Sequence, residues 1–288
     1  MLTRVKSGTK RMLGMYHPRR DLIIFPDDVF LVSFPKSGNT WSRFLIANLL
    51  RPERSADFAT IRQLVPDPFG TTKREFERVA RPRVIKSHEC FDPRYPRVIY
   101  VVRDPRDVVI SQYHYHRKCR KIEDNYDLQK FVGRFLAGQT CPHGSWGEHA
   151  STWLTTRRGG PRFLLIRYED LIADGVREVG RMASFLGISA TPQLLAQAVE
   201  RSSADKMRKL EKEQSHISGL TKDSRKDLPF VRAANSGGWR SNLPQALAET
   251  IEAAWAPQMR LLGYELTSPG AASAPVSGFE DLLGALAQ

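Results

Sequence analysis

The sequence predicts an α/β fold of three layers, with a central, mainly parallel sheet flanked by helices. Short apolar runs alternate along the chain with longer segments that carry helix-start residues and apolar stripes at helical spacing. The apolar runs are continuous, which is typical of parallel strands buried on both faces. Such a sheet binds ligands at the carboxyl ends of its strands, so the residues that follow each strand are candidates for function.

The first half of the chain supplies three predicted strands. One lies at residues 29–34 and leads into a helix that ends near residue 50. After an irregular stretch with short helical pieces, a short strand follows at 83–86. The run RVIYVV at 97–102 is the clearest strand, and Asp104-Pro105 then starts a helix with aspartate as N-cap and proline at the first position.

The second half continues the alternation. A buried strand is predicted at 162–168, followed by a helix with an apolar stripe from Leu171 to Leu186. Another helix starts at Thr191-Pro192, and residues 208–238 read as a charged cover. A last helix begins near Pro244 and should be kinked or divided by Pro257.

Composition leaves several classes of partner open. The chain has 288 residues and a net charge of +13, from 44 basic and 31 acidic residues. This excess fits an anionic ligand, a nucleic acid or an acidic membrane surface, and charge alone does not choose among them. We divide the chain into a basic N-terminal segment at 1–21, one domain at 22–266, and a linker with a tail at 267–288.

Cysteine usage and hydropathy bear on location. Three cysteines are few and odd in number, which argues against a disulfide framework and favours a reducing, cytoplasmic compartment. No apolar run reaches the roughly 18 residues that a membrane span needs, and the N-terminus has no apolar core of a secretory signal. That basic N-terminus leaves peripheral contact with a membrane open.

Residues 31–41, LVSFPKSGNTW, read as a strand that runs into a phosphate-binding turn and then a helix. The amides of such a turn and the positive end of the helix attract an anion, and Lys36 adds a full charge. In a Walker A loop the lysine follows the second glycine, whereas Lys36 precedes the single glycine, Gly38. The sequence therefore predicts a phosphate site that does not suit the β- and γ-phosphates of ATP.

Arg103 and Ser111 form a second candidate pair. Arg103 ends the strand at 97–102, and Ser111 lies about two turns into the next helix, so a guanidinium and a hydroxyl could grip one phosphate. Alternatively, Arg103 pairs with Asp104 or Asp107, and Ser111 is a surface residue of the helix.

Lys86 and His88 are a further pair of candidate site residues. Period-two alternation points both to the same side, just beyond the strand at 83–86. A histidine there could act as a general base near neutral pH, or it could be a structural residue.

These motifs together resemble those of the cytosolic-type sulfotransferases, which use 3′-phosphoadenosine 5′-phosphosulfate (PAPS). The resemblance covers residues 22–264 and includes further segments in the same order. The matching segments are PDDVFLVSFPKSGNTW (26–41), IKSH (85–88), RVIYVVRDPRDVVISQYHYHR (97–117), GSWGEHASTW (144–153), RYEDL (167–171), SSADKMRKL (202–210) and VRAANSGGW (231–239). It implies a P-loop-like three-layer fold and a transferase of EC 2.8.2 type.

The resemblance also implies how the nucleotide is held. Lys36 would neutralise the 5′-phosphosulfate, and Arg103, Ser111 and Arg232 would hold the 3′-phosphate that distinguishes PAPS from ATP. Trp41 and Tyr168 would lie at the adenine. The implied cofactor-binding set is Lys36, Ser37, Gly38, Asn39, Thr40, Trp41, Arg103, Ser111, Tyr168, Arg232, Ala233 and Ala234.

The implied reaction is in-line transfer of the sulfuryl group to a hydroxyl, or to an amine, of a small molecule, with 3′-phosphoadenosine 5′-phosphate (PAP) as the product. His88 would be the general base, Lys36 would support the departing phosphate, and Lys86 would contact the sulfuryl oxygens. No metal is required when lysines and amides neutralise the developing charge. Candidates for the acceptor pocket are Phe25, Trp146, His149 and Phe230.

The chain departs from the family at Ala233-Ala234, where the family has Lys-Gly. A lysine contact is lost, and so is a glycine that lets the backbone approach a phosphate, although Arg225 or Lys226 could compensate. Ala204 replaces an aromatic residue at the adenine. A catalytically weak or inactive PAP-binding homologue is therefore the main alternative.

Other functions have less support. A P-loop kinase requires a Walker A loop and a metal-binding acid. Nucleic-acid binding fits the charge, but no recognition motif is present. A metal site could be drawn from a set of histidines and cysteines whose spacing matches no zinc pattern, namely His114, His116, Cys119, Cys141 and His143. The sequence gives no oligomeric state.

Overall fold

A computed structural model describes residues 15, 17–214, 216, 223–232 and 234–267. Over these residues, a sheet is built from β1 (Val29–Ser33), β2 (Val84–Ser87), β3 (Arg97–Val102) and β4 (Phe163–Arg167). The strands are all parallel, in the order β2-β1-β3-β4. The carboxyl ends of β1, β2 and β3 therefore lie side by side.

A 3₁₀ helix (Arg19–Asp21) precedes β1, and α-helices fill the connections. They are α1 (Asn39–Leu50), α2 (Ile61–Leu64), α3 (Lys73–Phe76), α4 (Pro105–Lys118), α5 (Leu128–Leu136), α6 (Trp146–Arg157), α7 (Tyr168–Ala173), α8 (Gly175–Leu186), α9 (Pro192–Arg201), α10 (Ala204–Gln214), α11 (Trp239–Asn242) and α12 (Gln245–Leu261). No helix in the described ranges is both long enough and apolar enough to span a bilayer.

Alternate residues of the strands enter two separate cores. Phe30, Val32 and Tyr100 pack with α4, α5, α6 and α12 on one face of the sheet. Leu31 and Ile99 pack with α1, α8 and α9 on the other face. The two cores confirm the predicted arrangement of one sheet between two layers of helices.

Local sequence signals placed several helix ends correctly. The Asp104 carboxylate accepts a hydrogen bond from the Arg106 amide, with Pro105 in the first helical position of α4. Thr191 caps α9 in the same way. In α12, Trp255 has non-helical dihedral angles (φ −135°, ψ 25°), two residues before Pro257, which confirms the predicted kink.

Two features of the region after β3 differ from expectation. β4 is an edge strand and only Ile166 is fully buried in it, so the prediction of a buried strand was wrong. The single helix predicted after it is divided into α7 and α8, because the Asp174 side chain caps a new helix by accepting from the Arg177 amide. The division of the chain at residues 21 and 266 stays a prediction, and residues 268–288 of the proposed tail lie outside the described residues.

Candidate active site

One cavity of about 450 Å³ lies at the carboxyl ends of the strands and brings together most of the predicted site residues. The turn after β1, the end of β2, the end of β3, α4 and residues 230–232, 234 and 235 all contribute to its wall. The predicted residues that line it are Lys36, Gly38, Asn39, Thr40, Trp41, Lys86, His88, Arg103, Ser111, Tyr168, Phe230, Arg232 and Ala234. Ser37 is fully buried behind the turn, and Ala233 lies outside the described residues.

The turn after β1 is shaped by two residues with positive φ. Lys36 has φ 73° and Gly38 has φ 100°, and α1 begins at the next residue. Glycine is required at position 38, because a Cβ atom there would lie 2.6 Å from Cδ2 of Tyr168. The Asn39 amide group donates to the carbonyls of Leu31 and Ser87, at 3.3 and 3.4 Å, and so ties the turn to β1 and β2.

Lys36 extends into the cavity between two aromatic rings. Its Nζ lies 4.6 Å from the centre of the Tyr115 ring and 4.2 Å from that of Phe230. Burial, together with the nearby charge of Arg103, lowers the pKa of Lys36 to about 8. An anion in this cavity would favour the protonated form of the lysine.

Arg103 lies across the cavity from β3. One guanidinium nitrogen donates to the Asn235 carbonyl at 2.9 Å, and the group stacks 4.2 Å from the centre of the Tyr168 ring. Its distance to the Asp107 carboxylate is 3.6 Å, which is long because Asp107 accepts from the amides of Gly237 and Trp239, both at 2.8 Å. Arg103 thus remains available to a ligand.

Several polar atoms at the turn and beside it fit an anionic ligand. Within the described part of the chain, the buried Ser37 Oγ and Arg103 Nε have no hydrogen-bond partner. Burial and the proximity of Arg103 lower the pKa of Arg232, which shows that two positive charges face the same space. Buried donors and uncompensated cations of this kind are satisfied by phosphate groups.

His88 is fixed in one orientation by β1. Its Nδ1 lies 2.7 Å from the Ser33 carbonyl oxygen, so this nitrogen carries the proton and donates it. Nε2 is then left as a proton acceptor. Burial and the neighbouring Lys86 hold the pKa of His88 well below its usual value, so the ring is neutral near pH 7.

Lys86 lies on the same side as His88, as the alternation predicted, but its ammonium is paired. Nζ is 2.6 Å from the Asp67 carboxylate, and both side chains are largely buried. Burial lowers the pKa of Lys86 and the charge of Asp67 opposes that shift. A direct contact of Lys86 with sulfuryl oxygens stays a prediction.

A second cavity of about 880 Å³ adjoins the first. The two share Lys86, His88, Pro142 and His143. Its wall includes the aromatic residues Phe30, Phe69, Phe91 and Tyr95 and the 3₁₀ helix at Arg19–Asp21. Within this wall the Arg20 guanidinium forms an ion pair with Glu89 at 3.0 Å.

Three of the four predicted acceptor residues lie elsewhere. The Phe25 ring packs under the guanidinium groups of Arg81 and Arg83. Trp146 is fully buried, and its indole N–H donates to the Arg103 carbonyl at 3.1 Å. His149 is also buried, with ring nitrogens 3.0 Å from the Tyr100 hydroxyl and 3.2 Å from the His88 carbonyl. The last two support the site from behind, and none of the three lines either cavity.

Sequence reasoning did not assign a role to several residues that line the first cavity. They include Gln112, Tyr115, Lys121, Thr140, Pro142 and Asn235, and His143 was considered only for a metal site. Gln112, Ser111 and Tyr115 share one face of α4, so helical spacing from Ser111 could have found two of them. The loop residues Thr140, Pro142 and His143 had no such signal.

The set of histidines and cysteines considered for a metal does not converge. Among the residues described, no group of three or more histidine, cysteine, aspartate or glutamate side chains could hold a metal ion. Cys90, Cys119 and Cys141 are free thiols.

Comparisons with known proteins show what the whole chain is similar to. The family model described as "Sulfotransferase domain" matches residues 26–263. Sulfotransferase 1E1 of Bos taurus is 26% identical over 268 residues, which cover 87% of this chain and 90% of that protein. Sulfotransferase 2A1 of Macaca fascicularis is 29% identical over 263 residues, with coverage of 86% and 90%. The crystal structure of mouse sulfotransferase SULT7A1 complexed with PAP has a TM-score of 0.65 at 21% identity, covers 90% of this chain and 92% of its own, and shares the fold.

Proposed function

Since this chain belongs to the sulfotransferase family, we propose that it transfers a sulfuryl group from PAPS to a hydroxyl of a small-molecule acceptor, with His88 as the general base. The observation that carries the proposal is the convergence of Lys36, His88 and Arg103 on one cavity. A cationic turn, a neutral histidine and a buried arginine are the groups that this reaction requires.

The residues present fit the nucleotide. When bound, PAPS supplies the sulfuryl group and a phosphate as leaving group. Lys36 and the first-turn amides of α1 would hold its 5′ end, and Arg103, Ser111 and Arg232 its 3′-phosphate. Trp41 and Tyr168, whose rings meet edge to face at 5.5 Å, would hold the adenine.

The chain's own groups then account for the chemistry. His88 Nε2 would take the proton of the acceptor hydroxyl while that oxygen attacks the sulfur. The charge that develops on the leaving phosphate would be stabilised by Lys36, which needs no reorganisation because the two rings already hold it in the cavity. His88 faces both cavities, so the acceptor would enter through the second one.

A binding-only homologue is the second candidate, and Ala234 is the observation that favours it. Ala234 has φ 51°, a left-handed conformation that costs an alanine about 1 kcal/mol relative to the glycine of the family. The Arg103 contact with the neighbouring Asn235 carbonyl nevertheless forms.

We also propose a cytoplasmic location, a small-molecule acceptor rather than a nucleic acid, and no requirement for a metal.

The test combines retention on immobilised adenosine 3′,5′-bisphosphate with transfer of radiolabelled sulfate from PAPS to a panel of hydroxyl and amine compounds. We expect specific elution by PAP together with a labelled product. Retention without transfer to any compound would favour the binding-only homologue. Loss of both would overturn the nucleotide site.

A further inference from the structure

Residues 223–232 form no helix or strand, yet their last three residues line the first cavity. The Phe230 ring lies 4.2 Å from Nζ of Lys36. Arg232 lies close enough to Arg103 for that charge, together with burial, to lower the pKa of Arg232. Because a segment of this kind has no regular pattern of backbone hydrogen bonds, its amides and carbonyls need other partners to hold these two side chains in place.

Glu211, a buried residue of α10, holds the end of this segment that lies at the cavity. The amides of Phe230 and Val231 donate to its two carboxylate oxygens, at 2.6 and 3.0 Å. Arg208, about one turn earlier on the same helix, donates to the Arg232 carbonyl at 2.6 Å. Side chains of α10 therefore fix the backbone of all three residues of the segment that line the cavity.

Lys118, the last residue of α4, holds the beginning of the segment and also contacts Glu211. Its side chain is only 3% exposed, and its ammonium lies 3.3 Å from the Glu211 carboxylate. The ammonium also donates to the carbonyl of Arg225, at 2.9 Å, and to that of Leu228. An ammonium has three protons, and all three have an acceptor here. Loss of either charge would leave the other one buried without its partner, so the two side chains act as one anchor.

The Glu211 carboxylate also acts on the charge of Lys36. The charged and titratable groups near Lys36 are Arg103, Arg232, Cys119, Tyr115 and Glu211. Burial is the largest cause that lowers the pKa of Lys36, the two arginines lower it further, and Glu211 raises it. The carboxylate thus favours the protonated lysine, which is the form that a phosphate binds.

We propose that Glu211, held by Lys118, positions Phe230 and Arg232 at the nucleotide and so contributes to the affinity for PAP without touching it. Neither Glu211 nor Lys118 lines the first cavity, so both act through other residues. They are positioning residues on two different helices, and the segment between them gains from their side chains the fixed backbone that it lacks by itself. This inference rests on the proposed function and deepens it at the nucleotide site.

The test measures the affinity for PAP by calorimetry between pH 7 and pH 9. Glu211→Gln can accept from only one of the two amides, so we expect PAP to bind about tenfold more weakly at pH 7. The pH midpoint of binding, about 8 in the wild type, should move to lower pH because an anion near Lys36 is lost. Glu211→Asp keeps the charge, so its midpoint should stay near that of the wild type while its shorter reach weakens binding in part.

Glu213→Gln is the matched control, because it removes the same charge from an exposed position of α10 and should change neither the affinity nor the midpoint. Hydrogen exchange of the wild type without nucleotide adds a measurement that needs no folded variant. The amides of Phe230 and Val231 should exchange at least about tenfold more slowly than those of an unstructured chain, since both donate to a buried carboxylate.

The inference is overturned if these two amides are unprotected, if Glu211→Gln binds PAP as the wild type does or keeps its midpoint, or if Glu213→Gln weakens binding as much. Binding of PAP that depends on Glu211, without transfer of sulfate, would support the inference and count against the proposed function alone. Unchanged affinity in Glu211→Gln, with sulfate transfer by the wild type, would overturn the inference alone. A wild type that binds no PAP would overturn both.

Discussion

Raising the pH from 7 to 9 should weaken the binding of PAP by about tenfold. The pKa of Lys36 in the free protein is about 8, because the ammonium is buried beside Arg103. The protonated fraction of this lysine is then about nine-tenths at pH 7 and about one-tenth at pH 9. A phosphate beside Lys36 binds the protonated form, so above pH 8 each binding event must take up a proton.

Few other titratable groups near the cavity change their protonation between pH 7 and pH 9. Burial lowers the pKa of His116 to about 4 and that of His88 well below its usual value, so both are neutral from pH 7 to pH 9. Phosphate monoesters have their second pKa near 6 and are about nine-tenths ionised or more throughout. The pH dependence of PAP binding is therefore determined by Lys36. The affinity is highest below pH 8 and falls as the pH rises.

The assay is isothermal titration calorimetry with PAP at constant ionic strength, in two buffers of different ionisation enthalpy. Near pH 8, about half a proton should be taken up per PAP bound. Lys36→Met should bind more weakly at pH 7 and show a flat profile. An affinity that is level between pH 7 and pH 9, or proton release on binding, would refute a poised lysine in the phosphate turn.

Three substitutions probe the remaining parts of the site. His88→Ala should lower kcat by at least about 10²-fold and leave the Kd for PAP nearly unchanged, and near-normal turnover would rule out the histidine as base. Arg103→Ala should weaken PAPS by about tenfold or more but leave adenosine 5′-phosphosulfate almost unaffected in competition binding, whereas equal losses would remove Arg103 from the 3′-phosphate site. Gly38→Ala should lower both the Tm and the affinity for PAP, because its Cβ would displace the Tyr168 ring, whereas Gly159→Ala, also at positive φ but with open space around it, should lower the Tm alone. Equal effects of the two alanines on PAP binding would contradict the close approach of Tyr168 to the turn.

Much of the fold could be predicted from the sequence because the apolar runs and the helix-start residues indicate the same elements along the chain. In the strand at 97–102 the last five residues form a continuous buried run, and Asp104-Pro105 ends that run and starts a helix. β4 was misjudged for a physical reason. Its composition matches that of a central strand, but burial depends on which neighbours the sheet supplies, and β4 has a partner on one side only. No pattern within residues 163–167 carries that information.

Much of the lining of the first cavity was also predictable from the sequence, whereas that of the second was not. Lys36, His88 and Arg103 each follow a strand, and parallel strands that pair in register must bring such residues to one edge. His143 follows no strand. It reaches both cavities through a loop in which the His143 carbonyl accepts from the Cys90 thiol, a contact between distant parts of the chain, and Ser145 caps α6 two residues later. By contrast, Trp146 and His149 lie on the buried face of α6. They contact the backbone of Arg103 and His88 and do not line either cavity.

The distribution of charge would allow one chain to bind an anionic nucleotide and a neutral acceptor side by side. The described lining of the first cavity contains Lys36, Lys86, Arg103, Lys121 and Arg232 and no carboxylate. The second cavity has as many acidic residues as basic ones, and two of its three exposed arginines are paired, Arg20 with Glu89 and Arg94 with Asp92. An anion of several charges is stabilised only in the first, because in the second it would have to displace existing ion pairs. The net charge of +13 gives no hint of this division. Among the residues that line both cavities, the ionisable ones are Lys86, His88 and His143. Because Asp67 neutralises Lys86, an acceptor in the second cavity would meet the nucleotide where the first cavity's excess of positive charge ends.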